Sequence, residues 1–226
     1  MIHIKNLSKS FGSKQVLKNI NLSFEKGAVY GVVGDNGAGK TTLFRCIAAL
    51  EEYEGEIVSD LTNLKDHLGF FMTDPYFFSM ITGREYIQLL CNARNIVPGN
   101  IDEKNIFDLP LSEYASTYST GMKKKLALTA ILCQENEVFI LDEPFNGVDI
   151  YSNMIITEII HKLKSLGKTI LISSHIFSTL SETCDRIFLL REGVLAREVE
   201  RPDFQSLEQE MKALTIGNRV EKLNLQ

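Results

Sequence analysis

The stretch Gly34-Asp35-Asn36-Gly37-Ala38-Gly39-Lys40-Thr41-Thr42 stands directly after an apolar run at 28–33 and directly before a helical pattern at 43–50. It fits G-x-x-x-x-G-K-S/T, a loop that joins a strand to a helix and cradles phosphates. Glycines let the backbone curl so that its N–H groups face a polyphosphate, and the helix start adds a favourable dipole. Lys40 supplies a point charge to the β and γ phosphates. The Thr41 hydroxyl suits Mg²⁺, which keeps several waters and takes few protein oxygens. The expectation is nucleotide binding by Gly34, Asn36, Gly37, Ala38, Gly39, Lys40, Thr41 and Thr42, on an α/β fold with a P-loop NTPase core.

The flanking sequence supports that core. Short continuous apolar runs at 138–141, 169–172 and 186–190 suit parallel strands covered on both faces. Between two of them, residues 150–166 place Ile155, Ile159, Ile160, Leu163 and Leu166 at helical spacings, and Gly167 ends the helix. Residues 2–7 and 20–24 instead alternate apolar and polar, which predicts an antiparallel β layer ahead of the core. Pro75, Pro98 and Pro110, with a helix-like segment at 83–93, mark an inserted helical subdomain at about 75–132. Periodicity weakens from Arg201, so the reading is one domain at 1–200 and a tail at 201–226. That tail begins at Pro202 with one amphipathic helix around 204–214, and the sequence assigns it no role.

The 226 residues are 44% apolar and 23% charged, which excludes disordered, collagen-like and low-complexity classes. The net charge, 24 minus 29 or −5, argues against a general nucleic-acid binder. No apolar run approaches the roughly 18 to 20 residues of a membrane span, and Met1-Ile2-His3-Ile4-Lys5 lacks a signal-peptide layout. A cytoplasmic chain is expected. Cys46, Cys91, Cys133 and Cys184 lie 45, 42 and 51 positions apart, too far for a metal knuckle or redox motif, and read as free structural thiols.

A second constellation is Val138-Phe139-Ile140-Leu141-Asp142-Glu143-Pro144, an apolar strand ending in two carboxylates where α/β sheets gather ligands. Asp142 suits Mg²⁺, and Glu143 suits proton abstraction from a water attacking the γ phosphate. By itself the pair is equally a solvated acidic turn or a helix cap; the phosphate loop upstream favours the chemical role. His175 follows the strand at 168–173 and reaches the same sheet edge, where an imidazole can sense the γ phosphate. Lacking that context, His3, His67 and His161 carry no such reading.

The order of phosphate loop, Tyr118-Ser119-Thr120-Gly121-Met122-Lys123, Leu141-Asp142-Glu143-Pro144, Asn146-Gly147-Val148-Asp149 and Ser173-Ser174-His175 resembles an ATP-binding-cassette (ABC) ATPase over about residues 1–199. The signature segment ahead of the Asp-Glu strand is specific to that family, and its spelling looks like the exporter branch. The resemblance implies a head-to-tail dimer with two MgATP at its interface, each held by the phosphate loop of one chain and by Ser119 and Gly121 of the other. It also implies that Asp149 belongs to a loop crossing the interface, and that Phe11 stacks on adenine, although Phe11 could equally be core. Ser119 and Gly121 open a helix, so a plain N-cap is the rival reading there. Lys123 to Lys125 read most simply as a solvated face, with a contact to ATP or a partner as the alternative.

Two positions depart from the family pattern. Thr73 stands where a glutamine reaching Mg²⁺ and the attacking water is expected; it is shorter and presents no amide, so Asp74 is a possible substitute. Thr120 replaces the first glycine of the commonest signature and is read as harmless. The resemblance implies a peripheral ATPase powering export through an integral membrane permease, on the inner face of the cell membrane and without nucleic acid. Two rivals are an ABC ATPase regulating a membrane complex without transport, and a soluble one acting on ribosomes or DNA.

Overall fold

A computed structural model describes residues 1–216. Two sheets carry the fold. The smaller has β1 (Ile2–Phe11), β2 (Lys14–Phe24) and β4 (Glu54–Ser59) in the antiparallel order β2-β1-β4. The larger comprises β3 (Val29–Val33), β5 (Leu68–Phe71), β6 (Val138–Asp142), β7 (Thr169–Ser173), β8 (Arg186–Arg191) and β9 (Val194–Glu200). Its order is β5-β6-β7-β3-β8-β9, parallel except for β9, which returns antiparallel beside β8.

The buried strands are apolar on both faces because both faces are covered. Tyr30 and Val32 of β3 point into a core shared with the small sheet and with α1 (Lys40–Ile47), among Leu7, Phe24, Phe44 and Phe188. Phe24, Tyr30 and Phe188 pack there with ring centroids 5.0 to 5.8 Å apart. Val29 and Val33 point the other way, into a core closed by α4 (Ile150–Ser165), α5 (Phe177–Thr183) and α6 (Phe204–Ile216). Fully burying one such aliphatic side chain contributes roughly 1.5–3 kcal/mol.

A third core holds the insertion. There α2 (Gly83–Asn92) and α3 (Thr120–Leu132) bury Ile87, Cys91, Leu126, Ala130 and Cys133 against one another. A capping box starts α2: Thr82 accepts from the Glu85 amide and Glu85 accepts from the Thr82 amide. The intervening residues 95–119 contain no α-helix; the helices of the inserted unit are α2, close to the expected 83–93, and α3, opened by Ser119.

Other expectations need correction. The first two strands run well beyond residues 2–7 and 20–24, and β4, β5 and β9 add to the strands that the sequence pattern predicts. The buried stripe of α4 runs through Ser152, Ile156, Ile160 and Leu163, while Leu166 lies beyond the helix and is exposed. Gly167, at φ 73°, ends the helix as expected. All four cysteines are free and buried. The tail opens with a 3-10 turn at Arg201–Asp203 followed by α6, and its residues 217–226 lie outside the described residues. No helix among the described residues is long and apolar enough to cross a membrane.

Candidate functional site

The loop after β3 is shaped by steric necessity. At Gly34 a Cβ would fall 2.1 Å from the Leu190 carbonyl oxygen, and Gly39, at φ 109°, would press one to 2.8 Å from Leu17. Gly39 is also the N-cap of α1 and offers no side chain to it, so the first amides of the helix are left for an anion. Lys40 is buried, its Nζ donating to the carbonyls of Gly34 at 2.8 Å and Asp35 at 3.3 Å. Burial lowers its pKa, opposed by the charges of Glu143, Asp142 and Asp35.

Parallel pairing brings the carboxylates to this loop. Asp142 sits opposite Ser173 at the ends of β6 and β7. One of its oxygens, Oδ1, accepts the Ser173 hydroxyl at 2.6 Å; the other, Oδ2, accepts Thr41 at 2.7 Å and Thr73 at 2.9 Å. The Ser173 oxygen also accepts the Glu143 amide at 3.0 Å. Three hydroxyls thus orient one carboxylate, a set of hard oxygen donors of the kind Mg²⁺ prefers.

Glu143 has a left-handed backbone, φ 53°, and its carboxylate is buried. Its Oε2 accepts the His175 amide at 3.2 Å. The His175 Nε2 lies 3.1 Å from Oε1, out of line for a hydrogen bond, which leaves Oε1 buried and unsatisfied. Burial raises the Glu143 pKa, partly countered by His175 and Lys40. A desolvated carboxylate with an unsatisfied oxygen is a competent proton acceptor. These groups line a cleft of about 370 Å³.

Not every expected residue reaches that cleft. Ser119 N-caps α3, accepting the Met122 amide at 3.2 Å, and is exposed. Gly121 lies against the loop at 146–149, where a Cβ would come 3.3 Å from the Gly147 carbonyl oxygen. Asp149 N-caps α4 through the Ser152 amide at 2.9 Å and pairs with Lys125 at 2.8 Å. Ser119, Gly121 and Asp149 therefore form a second group, outside the cleft of their own chain. Phe11 is 48% exposed at the tip of the β1–β2 hairpin, with the Lys9 ammonium 4.7 Å from its ring centroid, so the core reading fails. Lys14 and Val16 on the same hairpin line the cleft.

The solvated-face reading of the lysine run is also corrected. Lys124 is buried, its Nζ donating to the Asn146 carbonyl at 2.6 Å, and Lys125 is bound to Asp149. The sequence reading gave Ser173 no role of its own; its place two residues before His175 at a strand end was the available signal.

The family model described as ABC transporter matches residues 17–146. The chain belongs to the ABC transporter family. As an ATP-binding subunit of this class it is an ATPase. It is 36% identical over 212 residues to the bacitracin transport ATP-binding protein BcrA of Enterococcus faecalis, covering 88% of this chain and 69% of that one. To the lantibiotic transport ATP-binding protein SrtF of Streptococcus pyogenes it is 30% identical over 226 residues, covering 92% and 95%. The fold of this ABC ATPase also matches the cassette MJ0796, solved as a post-hydrolysis dimer with ADP and phosphate. That match has a TM-score of 0.80 at 21% identity and covers 89% of this chain and 99% of the other.

Proposed function

We propose that this ABC ATPase powers export through a separate membrane permease, by closing a head-to-tail dimer around two MgATP and opening it after hydrolysis. Export is suggested by relatives named for bacitracin and lantibiotic transport and for SkfA peptide export. The observation that supports the dimer is that Ser119, Gly121 and Asp149 do not line the phosphate cleft of their own chain. A second copy brings the two groups together.

In this reading the amides of 36–42 and the Lys40 ammonium hold the phosphates, and Phe11 stacks on the adenine. Thr41, Asp142 and Thr73 fit Mg²⁺, which when bound neutralises charge on the β and γ phosphates. Glu143 takes a proton as a water oxygen bonds to the γ phosphorus and the bond from that phosphorus to the bridging oxygen breaks. His175 faces the same point. Ser119 and Gly121 of the second chain present a helix N-terminus to the γ phosphate, with Asp149 beside them. Loss of that phosphate removes the bridge between the halves.

The test is the Glu143→Gln chain with ATP. It is expected to elute as a dimer on gel filtration, and captured from detergent-solubilised native membranes it should bring a stoichiometric multi-span protein. A monomer with ATP opposes the dimer. Recovery with ribosomal or DNA-associated proteins instead of a membrane subunit opposes the transport reading.

A further inference from the structure

The lysine in the second turn of α3 is buried with a backbone carbonyl as its partner, as Lys40 is in the phosphate loop. Lys124 is 4% exposed, and its Nζ meets the Asn146 oxygen at 2.6 Å. Burial penalises its charged form, while Asp74, Glu143 and Asp142 favour it. A buried cation is retained at a cost unless it is well hydrogen-bonded, so its position calls for a role.

That role follows from what Asn146 does. Its amide donates to the Glu143 carbonyl at 3.2 Å and closes the turn after β6. Glu143 enters this turn at φ 53°, a conformation disfavoured for a residue with a side chain and kept only where its surroundings enforce it. Two bonds enforce it directly, the Glu143 amide to Ser173 and the Asn146 amide to Glu143. Lys124 anchors the far end of the same turn, and it does so from the inserted unit, not from the sheet.

We propose that Lys124 is a positioning residue for hydrolysis: by holding the Asn146 carbonyl it fixes the turn that aims the Glu143 carboxylate, and ties that aim to the orientation of α3. This rests on the reading of Glu143 as the proton acceptor. Where that bond is broken the turn loses this anchor, so hydrolysis depends on Lys124 reaching Asn146.

Steady-state ATPase kinetics on the full chain test this with Lys124→Met, Lys124→Gln, Glu143→Gln and the double variant Lys124→Met with Glu143→Gln. Lys124→Met should lower kcat at least about tenfold with KM for ATP within about twofold, the mark of an interaction needed for the chemical step. Lys124→Gln, which keeps an N–H donor one bond shorter than the ammonium, should recover part of that loss. In the Glu143→Gln background Lys124→Met should lower the residual turnover no further, because the two act as a unit. If Lys124→Met is not folded by circular dichroism, Lys124→Ser, polar but too short to reach Asn146, takes its place. Parental kcat in the folded variant, failure of Lys124→Gln to recover turnover, or independent losses in the double variant would overturn the proposal. Parental turnover in Glu143→Gln alone overturns the proton-acceptor reading instead.

Discussion

The Thr73 hydroxyl lies 2.9 Å from Oδ2 of Asp142, the same carboxylate oxygen that accepts Thr41 at 2.7 Å. A side chain too short to imitate glutamine nevertheless reaches Asp142, because β5 pairs with β6 in the register Phe71 to Leu141 and Thr73 follows two residues later.

Replacing Thr73 by valine keeps the shape and removes the hydroxyl. A hydrogen bond to a charged group contributes about 1.5–3 kcal/mol. Thr73→Val should therefore raise the Mg²⁺ concentration for half-maximal ATPase activity about tenfold or more, while ATP binding in EDTA stays unchanged. An unaltered Mg²⁺ dependence removes Thr73 from the metal site.

Glu143 holds its proton more tightly when folded than when unfolded, because burial disfavours its charge. Activity requires the deprotonated form, so the acid limb of the kcat profile should lie above the ordinary glutamate value of about 4.3. The linkage has the matching sign: between the unfolded and folded pKa the native state binds more protons, and stability falls as pH rises through that window. Glu143→Gln should abolish this slope and unfold at a higher temperature than the parent at pH 7. Superimposable stability profiles for the two would refute the shift.

Asp149 behaves in the opposite sense. The Lys125 ammonium and the Ser152 amide and hydroxyl hold its carboxyl well below the usual range. Its stabilisation is complete above the unfolded value of about 3.9 and is lost as pH falls toward the folded one. Asp149→Asn, which keeps a capping oxygen but not the charge, should lower the unfolding midpoint at pH 7. That difference should close under acid conditions, and a gap independent of pH would assign the effect to geometry alone.

The buried thiols give a simple chemical check. Burial pushes Cys184 up to about 12 and Cys46 and Cys91 up to about 11. Thiolate is the reactive form, so maleimide should label none of the four cysteines in the native chain within minutes and all four after denaturation. Rapid labelling of one thiol would reveal local opening around it.

The phosphate loop and the Asp142–Glu143 pair were legible because each is contiguous and its flanks declare a strand or a helix. Other features depend on residues distant in sequence. The four residues of β5 include Gly69, and pairing with β6 makes them a strand. The run of Lys123 to Lys125 announces charge, whereas residues 126–131 are buried without interruption, so α3 is surrounded nearly all round. The apolar run Leu126-Ala127-Leu128 is visible in the sequence, but which lysine of the preceding turn goes inside depends on the Asn146 carbonyl it meets. Ser173 shows its role only when β6 and β7 are set side by side.

The neighbouring strands β5, β6, β7 and β3 end in one row, and each delivers its chemistry at or just past its last paired residue. Strands spaced about 4.8 Å apart set the spacing of such a row. The arrangement makes the site evolvable in a way the core is not. One position beyond a strand end, such as 73, can exchange its functional group and leave the packing of Phe71 and Leu141 untouched.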